Sequence, residues 1–188
     1  MFRRTLRILG GASIAASLDM AMGIIIFYCL GGLFRQKVSL VGYGIAMLMA
    51  VLPDLDVIIQ LARERRSTGE HKKSITHYPM AMIPAVMAVA WFLSPFLSLA
   101  GALCLFWHYL HDSIGEGPGI SWFAPFSFER YMLRKERDGW HLRLTPEELN
   151  VLYSANTEKW LEENYLCISA KSVFGVAALV TALALVLI

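Results

Sequence analysis

Five stretches of the chain, at about 9 to 31, 38 to 60, 77 to 94, 95 to 113 and 168 to 188, are apolar. Each approaches the roughly twenty residues a helix needs to cross about 30 Å of hydrocarbon. A chain carrying such segments must satisfy its backbone polar groups internally, which makes helices the natural spanning form. Composition agrees, because 56% of the 188 residues are hydrophobic and only 17% are charged, too apolar for an ordinary soluble domain. The expected fold class is all-α: a polytopic membrane helix bundle with about five transmembrane helices. A short helical cytoplasmic segment is expected before the last of them.

Break points support this division. Ser94-Pro95 is the only break between His77 and Asp112, and Pro95 suits the first turn of a new helix after a tight hairpin. A re-entrant pair would have the same pattern. Thr145-Pro146-Glu147-Glu148 has the form of a helix start, and Thr157 to Tyr165 suggests a second short helix. The whole chain, 1–188, is read as one membrane domain. Residues 9–113 form a four-helix core bearing the site, 114–167 a cytoplasmic interfacial segment and 168–188 the last transmembrane helix.

Positive charge sets the expected orientation. Arg3, Arg4 and Arg7 precede the first span, and Arg63, Arg65, Arg66, Lys72 and Lys73 fill the loop after the second. Arg130, Arg134, Lys135, Arg137 and Arg143 follow the fourth. All are placed in the cytoplasm, N-terminus included, against the dissent of Arg35 and Lys37. Asp19 interrupts the first apolar run and no small-residue cleavage site follows, so that run is read as an uncleaved span rather than a signal peptide.

A net charge of +2 is too small to suggest a nucleic-acid partner. Cys29, Cys104 and Cys167 are far apart and odd in number, which excludes a Cys-x-x-Cys knuckle and leaves three buried thiols as the expectation. No P-loop, Gly-x-Ser-x-Gly elbow or dinucleotide fingerprint occurs.

The polar residues of the spans carry the functional signal. In Phe106 to Gly119 an apolar run meets His108, His111 and Asp112 before a glycine-rich exit. Spaced i, i+3 and i+4, the three share one helix face that can hold a metal. Ionisable groups at the end of a membrane helix are costly unless paired, hydrated or coordinated. With the topology above, Asp54 and Asp56 leave the second span, His71 and His77 enter the third, and His108 to Asp112 leaves the fourth. Candidate ligands from three helix ends thus converge at one membrane depth.

Asp54 and Asp56 would point to opposite sides of a regular helix, but Pro53 just before them makes a kink or a restart. Both could then be ligands, or one could bind metal while the other orients a histidine. Asp19, about a third of the way into the first span, needs a partner. It is either a packing carboxyl or a further ligand. Lys72 and Lys73 either adhere to anionic headgroups or hold an anionic substrate. Ser121 to Phe128, aromatic and broken by Pro125, reads as an interfacial loop and a lid over the site. His141, isolated, reads as structural.

The order Pro53-Asp-Leu-Asp56, His71-Lys-Lys-Ser-Ile-Thr-His77, His108-Tyr-Leu-His-Asp112 and Pro125-Phe-Ser127 resembles the LexA-regulated, membrane-bound metal-dependent hydrolase family. The resemblance covers roughly residues 15 to 130. It implies a bacterial inner-membrane hydrolase with loose kinship to zinc-dependent phospholipases C and nucleases. His77, His108, Asp112, Asp54 and Asp56 would be its site residues. Asp19 stands where that family usually has its first histidine, and either His71 or Lys72 matches the first histidine of the middle segment.

The reaction expected is hydrolysis of a phosphoester, lipid or lipid-like, at the cytoplasmic membrane face. Asp54, Asp56, His71, His77, His108, Asp112 and Asp19 are the candidate metal ligands. Imidazole with carboxylate suits Zn²⁺ first, with Mn²⁺ or Fe²⁺ acceptable to the same donors. Glu116, one turn beyond the helix, is the candidate general base, His111 a ligand or proton donor, and Lys72 and Lys73 the substrate-binding cations. Membrane lipids are the expected partners. The alternative is a non-catalytic metal-binding membrane protein, a sensor or transport component.

Overall fold

The computed structural model describes residues 2–56, 72–114, 117–154 and 157–187. The positions assigned to Arg63, Arg65, Arg66, His71 and Glu116 lie outside them. Among the described residues, eight α-helices run in the order α1 (Phe2–Ala15), α2 (Ser17–Leu33), α3 (Leu40–Val51), α4 (Pro79–Trp91), α5 (Pro95–Asp112), α6 (Pro146–Ser154), α7 (Thr157–Asn164) and α8 (Ala170–Leu187). The 3₁₀ turns Leu52–Asp54 and Ile75–His77 lie on either side of residues 57–71, which are not among those described. A small antiparallel sheet pairs β1 (Tyr131–Lys135) with β2 (Trp140–Arg143).

That sheet corrects the all-α expectation. In Tyr-Met-Leu-Arg-Lys and Trp-His-Leu-Arg, aromatic and large apolar residues alternate loosely with basic ones, and Asp138-Gly139 supplies the turn; Gly139 has φ +147°.

Two compact units divide the chain, Met1–Val51 with Thr157–Ile188, and Leu52–Asn156. The first joins the ends of the sequence around α2. Its core is Ala21, Ile24 and Ala182, packed by Tyr43, Met47, Leu179 and Leu183 among others. Gly23 permits the α2–α3 approach: a Cβ there would lie 2.5 Å from the Ala46 carbonyl oxygen. Gly175 of α8 meets Ser17 Oγ in the same way. Small residues at helix contacts are the usual means of close packing where lipid competes equally for apolar side chains.

Only α8 is both long and apolar enough to span by itself among the described residues. Val173, Phe174, Val176, Val180, Leu185 and Leu187 leave its outer faces exposed, as befits a helix against hydrocarbon rather than water. Residues 9–33 reach that length only as a pair of helices bent by 45° at Ala16. The fourth expected span is met in length by α5, of 18 residues, but the helices described in the second and third are shorter than foreseen. α3 has 12 residues before a 3₁₀ turn, and α4 has 13, about 20 Å at helical rise. Proline explains both limits: Pro53 tightens the end of α3, and Pro79 delays the start of α4 until after His77. Five separate spans are therefore not seen among the described residues.

In the second unit α4 and α5 form a hairpin. Ser94 Oγ accepts from the Phe96 N–H at 3.2 Å, capping α5 with Pro95 at its first position. Ser98 Oγ donates to the Met87 carbonyl at 2.9 Å, tying the helices together. Leu105, Tyr109 and Ile120 form the core, covered by Leu52, Met82, Ile83, Val86 and Trp122. α6 begins with a reciprocal capping box, Thr145 N–H to Glu148 Oε2 at 2.7 Å and Glu148 N–H to Thr145 Oγ1 at 3.3 Å.

Of the three thiols only Cys104 is buried; Cys29 and Cys167 are exposed. The expectation of three buried thiols fails because Cys29 lies on an outward face of α2 and Cys167 in the turn between α7 and α8.

Candidate metal centre

Three local decisions bring the donors together, and proline takes part in two of them. Pro53 sits in the 3₁₀ turn Leu52–Asp54, so Asp54 and Asp56 do not follow the geometry of α3. Ser74 caps the turn Ile75–His77, accepting from the Thr76 N–H at 3.4 Å, and Pro79 then opens α4, leaving His77 at the helix entrance. His108 and Asp112 come from one face of the last turns of α5.

Asp54, His77, His108 and Asp112 each contribute one ligand atom to a group whose members all lie within 4.8 Å of one another. His77 Nε2 is 3.4 Å from Asp54 Oδ1 and 3.8 Å from Asp112 Oδ2. His108 Nε2 is 3.7 Å from each of the same two oxygens. These separations are long for hydrogen bonds. A tetrahedral zinc centre with bonds of about 2.0–2.1 Å has ligand-to-ligand edges of about 3.3–3.4 Å; the four histidine-to-aspartate separations lie within about half an ångström of that, and the remaining two lie within 4.8 Å. Both imidazoles are essentially inaccessible, whereas the Asp54 side chain is 37% exposed. The centre opens on the Asp54 side.

Asp56 stands behind His77. Its Oδ2 accepts from Thr76 Oγ1 at 2.9 Å and lies 3.4 Å from His77 Nδ1, the nitrogen turned away from the four-atom group. Thr76 Oγ1 is itself 3.2 Å from that nitrogen. A carboxylate on the outer nitrogen is how ligating histidines are commonly oriented. Asp56 Oδ1 is buried with no hydrogen-bond partner among the described residues. Three carboxylates collected around two buried imidazoles carry a desolvation cost that a bound cation would offset. The donor set therefore fits a divalent ion.

Lys72 Nζ reaches Asp112 Oδ2 at 2.6 Å. Lys73 turns elsewhere, its Nζ 4.2 Å from the centre of the Tyr153 ring. His111 is not one of the four donors; it lies on the flank of α5 with its ring stacked on Trp107, centroids 6.2 Å apart. Asp19 belongs to the other unit, buried on α2. His141 pairs with Asp138 at 2.9 Å in the β-hairpin. The aromatic loop expected as a lid packs instead on α5: Trp122 Nε1 donates to Ser113 Oγ at 2.8 Å and its ring meets Phe106 and Tyr109 edge-on.

Sequence reasoning missed three supports. Tyr109, fully buried, donates its hydroxyl to the Thr76 carbonyl at 2.7 Å, joining α5 to the His77 turn. Thr76 braces Asp56, and its place beside His77 was the available hint. Arg130, 4% exposed, donates to the Gly119 carbonyl at 2.9 Å and to the Lys72 carbonyl at 2.6 Å. Burial draws its guanidinium below the ordinary value, with Tyr153, Tyr78 and Asp112 acting the other way, and an arginine stays cationic throughout. In sequence it had looked like one more topological charge.

No curated protein and no solved structure matches the chain. A family model described as YdjM inner membrane protein matches residues 19–186, a stretch that contains all four donors, Asp56 and Lys72. The chain therefore belongs to the YdjM family of inner membrane proteins.

Proposed function

We propose that this protein is a membrane-bound metal-dependent hydrolase that cleaves a phosphoester, lipid or lipid-like, at the cytoplasmic face of the inner membrane. The observation that carries the reading is the group Asp54, His77, His108 and Asp112, whose ligand atoms all lie within 4.8 Å of one another around two buried imidazoles, with Asp54 the most exposed member. A divalent ion, zinc before manganese or iron, would supply Lewis acidity and lower the pKa of a water in its open position towards about 7. The protein's own residues do the rest. Asp56 orients His77, the buried imidazoles hold their places without water, and Lys72 presents a cation beside Asp112.

In the reaction, a water oxygen bonds to phosphorus as the ester P–O bond breaks. The water gives up a proton and the leaving alkoxide takes one up. Glu116 is assigned as the base and His111 as the proton donor, assignments that Glu116→Gln and His111→Asn test directly. The multi-pass arrangement with a cytoplasmic N-terminus follows from the Arg and Lys distribution.

A second reading, a closed structural or transport site, is favoured by the donor count, because four protein ligands are enough to saturate a structural zinc. Elemental analysis of the detergent-purified protein beside His108→Ala/Asp112→Ala, with hydrolysis of bis-p-nitrophenyl phosphate and p-nitrophenyl phosphate, separates the two. Near-stoichiometric metal lost in the variant, with metal-dependent hydrolysis, is the expected result. Metal without hydrolysis selects the second reading. A protein that binds no transition metal after reconstitution refutes both.

A further inference from the structure

We infer that the centre is built for a single divalent ion and that Lys72 occupies the place of a second one, sharing Asp112 with it and receiving a phosphoryl oxygen of the substrate. The inference rests on the metal-dependent reading above and specifies its stoichiometry and its anion-binding group.

Asp112 is where the two cations meet. Its Oδ2 stands 3.8 and 3.7 Å from His77 Nε2 and His108 Nε2 and 2.6 Å from Lys72 Nζ. Two-metal hydrolytic sites place their ions about 3.5–4 Å apart around shared ligands and clamp the phosphoryl group between them. Here one of the two positions against the shared carboxylate belongs to an amine that the chain itself supplies.

Charge points the same way. Among the described residues around the centre, Asp54, Asp56 and Asp112 contribute three negative charges and Lys72 one positive, with ligating histidines neutral. One divalent ion balances the remainder. A second would leave an excess of two positive charges in a largely buried pocket, directly against the Lys72 side chain.

Lys72 is also held as a mobile surface lysine is not. Its side chain is 12% exposed. Buried Arg130 donates from Nη2 to its carbonyl and from Nη1 to that of Gly119. Gly119 has φ +61°, and a Cβ there would lie 2.5 Å from the Tyr131 carbonyl oxygen, so this support accepts glycine alone without rearrangement. The next carbonyl, that of Lys73, accepts from Tyr78 O–H at 2.8 Å. Two adjacent peptide units are thus fixed, and the successive lysines are sent apart, Lys72 to Asp112 and Lys73 to Tyr153. A preset cation beside a Lewis acid is what a phosphoryl group with charge on its outer oxygens requires. Arg130 is the positioning residue for it.

The test uses the full chain in detergent, reconstituted with Mn²⁺ or Zn²⁺. Elemental analysis gives the stoichiometry, Mn²⁺ electron paramagnetic resonance distinguishes an isolated ion from a coupled pair, and inorganic phosphate is titrated calorimetrically. Expected are one uncoupled ion per chain, and a Lys72→Met variant that keeps it at equal or higher affinity. That variant should bind phosphate about tenfold to a hundredfold more weakly, the range for losing a charge-assisted hydrogen bond. Lys72→Arg should restore part of the loss, and Arg130→Gln should weaken phosphate binding while leaving the ion in place. Two ions per chain, a coupled spectrum, loss of the ion in Lys72→Met, failure of phosphate to bind the loaded wild type, or unchanged phosphate binding in Lys72→Met would each overturn the inference. Absence of any bound ion would instead overturn the metal-dependent reading beneath it.

Discussion

Replacing Asp56 by asparagine tests whether the two aspartates of the Pro53 turn have different jobs. Asp54 Oδ1 is one of the four clustered donors, whereas Asp56 Oδ2 lies 3.4 Å from the far nitrogen of His77 and accepts from Thr76 Oγ1. As a carboxylate, Asp56 only accepts hydrogen bonds, which favours the proton on His77 Nδ1 and the lone pair on Nε2, facing the donors. An amide in its place can present N–H to Nδ1 and push the proton to Nε2, the wrong tautomer for a ligand. Removing such an orienting partner costs about 10–100-fold in metal affinity, about 1.4–2.7 kcal/mol. Asp54→Asn deletes a donor and should cost more. The assay is a competitive chelator titration of both variants, with far-ultraviolet circular dichroism to show that the helices persist. Equal losses in the two would make Asp56 a direct ligand. An unchanged affinity in Asp56→Asn would refute the orienting role.

Tyr109→Phe removes the hydroxyl that joins α5 to the Thr76 carbonyl. Stability should fall by about 1–2 kcal/mol, read as a lower unfolding midpoint in detergent, with metal affinity falling alongside. Gly23→Ala places a methyl 2.5 Å from the Ala46 carbonyl oxygen and 3.0 Å from Ala50 Cβ, so α2 and α3 must separate, at a cost of about 1–3 kcal/mol in the same melt. The backbone N–H of Thr145, helped by Arg134, holds the Glu148 carboxyl at about 2 against an ordinary 4.5. Its depressed value means the folded form binds the proton less readily. The capping contribution is therefore complete above about pH 4.5 and is lost as pH falls through 2. Glu148→Gln should remove that part of the acid dependence, followed by amide exchange at the start of α6.

Much of the helical order was readable in advance because its signals are local. Pro95 after Ser94 and Pro146 after Thr145 begin helices α5 and α6 where expected, since a proline ring favours the first turn and a hydroxyl satisfies the open N–H groups. The His108 to Asp112 spacing put two donors on one face for the same reason. Span lengths were overread, because hydropathy is a property of windows and does not register that Pro53 and Pro79 cut the helices short. The β-hairpin was missed because four- and five-residue strands carry little pattern and are defined by each other.

The sequence by itself determined that this chain belongs with membranes, that its helices begin at identifiable prolines and caps, and that its histidines and aspartates collect near helix ends. Only the tertiary structure decided which of them meet. It separated Asp54 from Asp56 through the irregular turn at Pro53 and set Asp19 in the other unit. It turned Lys72 inward and Lys73 away, and drew Arg130, 58 residues further along the chain, into the support of Lys72. The physical reason is that periodicity and capping act within a few residues. A donor set whose atoms all lie within 4.8 Å of one another is assembled from segments whose mutual distance no local rule encodes.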